Sequence, residues 1–180
     1  MKNRDLTLLP LEADDKGVRV VIETPMRGRN KYDYNSKGGY FELREVLPRG
    51  SEFPFDFGFF PSTLGEDGDP TDALVVSDHG LDVGVVLTAR VIGAIEFEDT
   101  KDGKSVRNDR LVAVPNCSVL YEKVKTLGDL PPPLIEQIES FFERDAFFKG
   151  KEREFLGRCE AKEGRKLLAE GKARFAKMRR

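Results

Sequence analysis

The chain contains very few of the residues that build histidine or cysteine sites. Its 180 residues include one histidine, His79, and two cysteines, Cys117 and Cys159. His79 lies in the polar turn SDHGLDVG, and a single histidine gives little basis for a histidine metal site or a Ser-His-Asp triad. The cysteines have neither Cys-x-x-Cys spacing nor the framework of a secreted disulfide protein. Free thiols and a cytoplasmic location are therefore expected.

Long hydrophobic segments are also absent. The longest apolar runs are far shorter than the roughly 20 residues that a membrane-spanning helix needs. The first ten residues, MKNRDLTLLP, are polar and do not resemble a secretory signal. The net charge is only −2, which gives no bulk field that would attract nucleic acid or a membrane surface. We therefore expect a globular protein with neither a membrane nor a nucleic acid as partner.

What the sequence does contain is a series of short β-type segments followed by helical periodicity. Runs rich in β-branched and aromatic residues recur through the first two thirds of the chain, and Asp-Gly in TKDGKS indicates a hairpin. Beyond residue 126 the apolar positions recur at helical spacing, as in PPPLIEQIESFFE. With no repeats or linkers, this pattern predicts one domain over 1–180. It comprises a β-barrel over about 18–125 and helices over about 126–145 and 160–179.

The most informative stretch is GEDGDPTDALVV, residues 65–76, in which four acidic side chains occupy seven positions before a hydrophobic run. A turn explains one or two aspartates, but not Asp67, Asp69 and Asp72 together. Like charges about 6 Å apart repel by roughly 3 kcal/mol at a protein surface. A divalent cation that prefers oxygen ligands would offset this repulsion. A metal site is therefore favoured over a solvated turn.

Further acids and cations lie near the ends of the predicted strands. They include Glu23, Arg27, Arg29, Lys31, Asp33, Arg44, Asp99, Asp102, Asp109 and Arg110, with the neutral amide Asn108 beside the last two. Carboxylates and cations together suit a metal-bound phosphate, because Mg²⁺ bridges phosphate oxygens while Lys and Arg neutralise the remaining charge. No GxxxxGK[ST] loop occurs. Side chains and metal ions, rather than a glycine-rich loop, would therefore hold the phosphate.

DGDPTDALV resembles the D-x-D-P-x-D signature of the family I soluble inorganic pyrophosphatases. Seven further motifs accompany it in family order over about residues 18–150. They are VIETP, KYDYN, FELREV, FPFDFGFFPSTL, GAIEFED, DRLVAVP and DLPPPLIEQIESFFE. The resemblance implies an α+β, mainly β fold, with an OB-like five-stranded closed barrel flanked by two C-terminal helices. It also implies hydrolysis of pyrophosphate to two phosphates by a metal-activated water, without a phosphoenzyme. Three or four Mg²⁺ would take part, with Mn²⁺ as a possible substitute.

The resemblance assigns expected roles to individual residues. The expected proton acceptor is Asp69. The expected metal ligands are Asp67, Asp72 and Asp99, with Glu23 and Asp33 holding metals through water. The expected phosphate-binding cations are Lys31, Arg44 and Arg110. A homo-oligomer, a hexamer or a dimer, is also implied, although Ser140 and Arg144 replace the histidines expected at hexamer contacts.

Several positions depart from the family pattern. Phe53 and Phe57 replace tyrosines, and Asn108 replaces an aspartate that bridges metals. Arg110 replaces a lysine, and arginine and lysine are not interchangeable at a tight phosphate site. Asp109 is a possible substitute for Asn108, although a one-residue slip in a strand would turn it to the opposite face.

A Tyr-Lys pair is replaced by Asp145-Ala146, so Lys149 or Lys151 would have to reach in, and Asp102 could fold back toward the metals. These departures leave two alternatives open. One is a hydrolase acting on another phosphate anhydride or ester, and the other is a non-catalytic homologue that binds metal or phosphate.

Overall fold

The computed structural model describes residues 5–13, 17–101, 103–148 and 152–179, so Asp102, Lys149 and Lys151 lie outside the described residues. Within these ranges the chain forms nine strands and two α-helices. The strands are β1 (Val18–Thr24), β2 (Asn30–Asn35), β3 (Tyr40–Val46), β4 (Asp56–Phe59), β5 (Asp72–Val75), β6 (Val86–Lys101), β7 (Lys104–Arg107), β8 (Arg110–Pro115) and β9 (Glu152–Glu160). The helices are α1 (Pro132–Phe148) and α2 (Ala161–Met178).

Five of the strands close into a ring. β1 pairs with β4, β4 with β5, β5 with β8, β8 with β6, and β6 returns to β1. The β5–β8 pair is parallel and the other four are antiparallel. The 16-residue β6 is long enough to pair with β1 near its start and with β8, β9 and β7 further along. The closed ring confirms the mainly β fold class that the resemblance implies.

β9 is a strand that the sequence analysis does not predict. Its sequence, EREFLGRCE, is mostly charged and its burial pattern is that of an exposed edge, so it lacks the hydrophobic alternation that identifies a strand. It pairs antiparallel with β6 from Gly93↔Glu160 to Thr100↔Glu152. This pairing brings residues from beyond α1 back to the barrel.

α1 begins at Pro132 rather than near residue 126, because Leu127–Asp129 form a separate 3₁₀ turn. Proline is favourable at the first helical position, where its missing N–H is not needed. The apolar face of α1 is buried in the same core cluster as Phe53 and Phe57. Its Phe141 and Phe142 pack edge to face, with ring centroids 5.2 Å apart. The aromatic end of α1 therefore covers one opening of the barrel.

α2 packs closely on β6 because two glycines meet there. A Cβ on Gly164 would lie 3.0 Å from the carbonyl oxygen of Gly93, so the absence of side chains allows the two backbones to touch. Leu168 continues this contact into the second core cluster. Among the helices of the described residues, none has both the length and the apolar character needed to cross a membrane.

The position of β9 can be tested through its cysteine. Burial raises the pKa of the Cys159 thiol to about 11, whereas Cys117 is exposed. Alkylation requires the thiolate. At pH 8 we therefore expect iodoacetamide to modify Cys117 well before Cys159, with the Cys159 rate rising toward pH 11. Peptide mass spectrometry measures both rates, and equal rates at pH 8 would contradict the pairing of β9 with β6.

Candidate active site

A cavity of about 960 Å³ opens among the β2–β3 hairpin, the loop before β5, strands β6, β8 and β9, and the aromatic end of α1. All nine residues to which the sequence analysis assigns a role line it. They are Glu23, Lys31, Asp33, Arg44, Asp67, Asp69, Asp72, Asp99 and Arg110. The fold therefore brings together side chains that are up to 87 positions apart in the sequence. Their individual roles stay predictions.

The β2–β3 hairpin supplies two cations and an acid to the cavity. Lys31 and Asp33 are two positions apart on β2 and so project from the same face. The Nζ atom of Lys31 lies 3.4 Å from Oδ1 of Asp33, and Nε of Arg44 on β3 lies 3.6 Å from Oδ2. The Arg44 side chain is 69% exposed. Because such surface pairs are weak, these cations are available to a phosphate.

The end of β1, strand β2 and the loop before β5 form a carboxylate wall, which consists of Glu23, Asp33, Asp67 and Asp69. Burial raises the pKa of Glu23 to about 8, and the nearby charges of Asp72 and Asp33 add to this rise although Glu23 accepts a hydrogen bond from the Tyr34 N–H. Partial burial, with Asp67 and Asp33 close by, also raises the pKa of Asp69. A bound cation would stabilise the ionised form of carboxylates that lie this close together.

The chemistry of the carboxylate wall therefore fits a hard divalent cation, which prefers oxygen ligands. The fit is not that of a preformed cage. Among the residues that the structure describes, no group of three histidine, cysteine, aspartate or glutamate side chains is placed to hold a metal ion. Cation binding at the carboxylate wall would therefore use water ligands together with the carboxylates.

Asp72, at the start of β5, is already paired with a cation. Nη1 of Arg110 lies 2.5 Å from Oδ2 of Asp72, and the two side chains are 7% and 22% exposed. The Arg110 guanidinium also lies over the rings of Phe57 and Phe142, 5.9 Å and 5.4 Å from their centroids. Phe57, where a tyrosine was expected, thus contributes a ring face to the arginine.

Asp99, on β6, is held by an arginine that the sequence analysis missed. Arg153 lies directly opposite it in the β6–β9 register. Nε and Nη2 of Arg153 donate to Oδ1 and Oδ2 of Asp99 at 2.6 Å and 2.7 Å, and the Arg153 side chain is only 5% exposed. Although burial opposes it, hydrogen bonds from Arg153 and Asn108 lower the pKa of Asp99.

Arg153 and Asn108 together occupy three of the roughly four lone-pair sites of the Asp99 carboxylate, and the metal-ligand role that the resemblance implies for Asp99 stays a prediction. Arg153 also lies over the rings of Phe97 and Phe142, at 5.5 Å and 5.8 Å from their centroids. No local signal could have identified Arg153, since its role depends on a long-range register. The charged residues around it indicate a solvent-exposed segment rather than a site.

Asn108 joins these two ion pairs. Its Nδ2 donates to Oδ2 of Asp99 at 2.9 Å, and its Oδ1 accepts a hydrogen bond from Nη1 of Arg110. An amide can do both because it carries a donor and an acceptor. We call the resulting chain, Asp72–Arg110–Asn108–Asp99–Arg153, the arginine network.

Asp109 points away from the large cavity, as expected for the next residue along an extended segment. It pairs with Arg107 at 2.9 Å, and Arg107 also contacts Glu96 at 2.7 Å. These three side chains line a second, smaller cavity of about 350 Å³ beside α2. Asp109 therefore does not substitute for the aspartate that Asn108 replaces.

The energetic importance of the arginine network can be tested with Arg110→Met. Removing one partner of a buried ion pair leaves the other charge uncompensated, at a cost of about 3 kcal/mol or more. We expect the free energy of unfolding in EDTA to fall by about that amount, as measured by urea denaturation. Arg158→Met is a matched control, because Arg158 pairs with Glu139 but is 42% exposed, and it should cost less than about 1 kcal/mol. Equal effects of the two substitutions would contradict this account.

Comparisons with known proteins identify the family of this chain. The family model for inorganic pyrophosphatase matches residues 20–176. Inorganic pyrophosphatase from Synechocystis sp. is 35% identical over 153 residues, which cover 85% of this chain and 88% of the relative. The enzyme of that name from Thermus thermophilus is 40% identical over 126 residues, 70% of each chain.

Solved structures agree as well. The crystal structure of inorganic pyrophosphatase from Thermus thermophilus superposes with a TM-score of 0.87 at 33% identity, covering 96% of this chain and 99% of that one. The inorganic pyrophosphatase from Neisseria gonorrhoeae superposes with a TM-score of 0.84 at 36% identity, covering 94% and 96%. Family I pyrophosphatases depend on metal ions. The chain described here belongs to the inorganic pyrophosphatase family.

Proposed function

We propose that this protein hydrolyses inorganic pyrophosphate to two phosphates, with Mg²⁺ as its cation and Mn²⁺ as a substitute. The observation that carries the proposal is the meeting of the carboxylate wall with Lys31, Arg44 and Arg110 around one cavity. Pyrophosphate is a small, highly charged anion, and a cavity that offers both cations and cation-binding carboxylates suits it. Family membership supports the same activity.

The residues proposed to hold the cation belong to the carboxylate wall, together with the neighbouring Asp72. Asp67 and Asp72 would bind it directly, and Glu23 and Asp33 would bind it through water. When bound, the cation would lower the pKa of a coordinated water and neutralise charge on the phosphates. Asp99 is left out of this proposal because Arg153 holds both of its oxygens.

Asp69 is proposed to accept the proton of the attacking water. It lies in the loop that leads into β5 and lines the cavity, and its own N–H donates to the Asp67 carboxylate at 3.1 Å. Within the described ranges no lysine or arginine forms an ion pair with Asp69. Its carboxylate is therefore available to a water molecule in the cavity.

The phosphates are proposed to bind the cations of the β2–β3 hairpin and the arginine on β8. Lys31 and Arg44 flank Asp33 on the exposed side, where they can turn toward an anion. Arg110 is fixed by Asp72 and two rings. Mobile cations at one end and a fixed cation at the other would position the anhydride for direct attack, without a phosphoenzyme.

The activity is tested by measuring phosphate release from pyrophosphate with Mg²⁺, Mn²⁺ or EDTA. We expect metal-dependent turnover on the order of 10 s⁻¹ and none in EDTA. Intact pyrophosphate after incubation with either metal would sink the proposal. Turnover of a nucleotide or polyphosphate alone would favour an altered substrate, and binding without turnover would favour a non-catalytic homologue.

The role of Asp69 is tested separately with Asp69→Asn, which removes the proton acceptor but preserves shape. We expect turnover to fall by about 10²-fold or more, while circular dichroism shows an unchanged fold. Asp82→Asn is the matched control, since Asp82 is an exposed aspartate that does not line the cavity, and its turnover should equal that of the unaltered protein. A normal rate for Asp69→Asn would refute this role.

We further propose a single-domain, cytoplasmic protein that forms a homo-oligomer and has neither nucleic acid nor membrane as partner. Two free cysteines support a reducing compartment. Val119 and Leu120, which are 78% and 71% exposed, provide apolar surface for contact between copies.

A further inference from the structure

Strand register, hydrogen bonds and burial together hold Arg153 in the cavity. It stands opposite Asp99 in the β6–β9 register, makes two parallel hydrogen bonds to that carboxylate, and is 5% exposed. The rings of Phe97 and Phe142 pack against each other and lie 5.5 Å and 5.8 Å from its guanidinium, on one side of it. Moving Arg153 away would require breaking a bidentate ion pair and exposing this packed surface.

We propose that Arg153 takes the place of a divalent cation at Asp99. A bidentate guanidinium uses the adjacent edges of both carboxylate oxygens, and Asn108 donates to Oδ2 as well. A metal ion bound to these oxygens would have to lie beside the positive charge of Arg153. The metal ion and the guanidinium therefore exclude each other at Asp99. Because Arg153 is part of the chain, it is always present there.

Asn108 supports this inference independently. The resemblance predicts an aspartate at this position, and a second carboxylate beside Asp99 would attract a metal ion. The amide removes that negative charge and donates to Asp99, while Arg153 adds a positive charge. Both residues therefore change the electrostatics around Asp99 in the same direction, away from a metal site and toward an ion pair.

Arg110 adds a second guanidinium close to that of Arg153. Its guanidinium contacts Asp72 at 2.5 Å and shares the Phe142 ring with Arg153. The arginine network thus brings two positive charges into the cavity, whereas the carboxylate wall and Asp72 are left for metal ions. The protein should bind fewer divalent cations than the three or four that the resemblance implies.

The inference deepens the proposed function, but its test does not depend on turnover. Isothermal titration calorimetry with Mn²⁺, in the absence of pyrophosphate, measures the number of ions per chain. Asp99→Asn should bind the same number as the unaltered protein, because Asp99 holds no ion. Arg153→Met should bind one ion more, and the double variant Arg153→Met/Asp99→Asn should return to the original number.

Arg158→Met is the matched control, since Arg158 lies on the same strand but pairs with Glu139 and does not line the cavity. It should leave the number of ions unchanged. Loss of an ion in Asp99→Asn would overturn the inference, as would no gain in Arg153→Met. If Arg153→Met fails to fold, the Asp99→Asn count decides alone. An inactive protein that shows these counts would refute the proposed function and support this inference.

Discussion

Mutual repulsion among carboxylates that share one cavity is the constraint on which this structure depends. Burial, reinforced by the nearby charges of Asp72 and Asp33, raises the pKa of Glu23 to about 8 even though Lys31 lies close by, which shows how costly negative charge is at this position. The protein solves the problem in two ways. Around Asp99 the arginine network supplies positive charge from within the chain. At the carboxylate wall the negative charge is left to be compensated by an ion from solution.

The fold serves this division of charge. β6 is long enough to help close the ring and also to carry Asp99 beyond it, where β9 can pair with it. α1 contributes Phe142, whose ring lies under both Arg110 and Arg153. Buried ion pairs stabilise only when their geometry is good and their remaining hydrogen bonds are satisfied. The amide of Asn108 bonds to both pairs, whereas the buried Nε of Arg110 has no hydrogen-bond partner among the described residues.

Much of the site could be predicted because its residues lie in local motifs. The spacing of Asp67, Asp69 and Asp72, and their position before a hydrophobic run, indicated both a strand entrance and a cation site. The pattern of short strands indicated a β-barrel, and the resemblance implied its OB-like class. Arg153 could not be predicted. It belongs to a charged edge strand whose register is set by pairing 54 residues away along the chain, so no local periodicity marks it. The role of Asp56 could not be predicted either, because it depends on contacts with distant residues. This fully buried carboxylate accepts hydrogen bonds from the N–H groups of Met26 and Leu81 and has a structural role.

The most direct test of this division of charge is a crystal structure with Mn²⁺ and phosphate, with anomalous scattering recorded at the manganese edge. The account predicts manganese peaks at the carboxylate wall, none within bonding distance of Asp99, and an Arg153 guanidinium that still contacts both Asp99 oxygens. A manganese peak on Asp99, with Arg153 displaced into solvent, would contradict it.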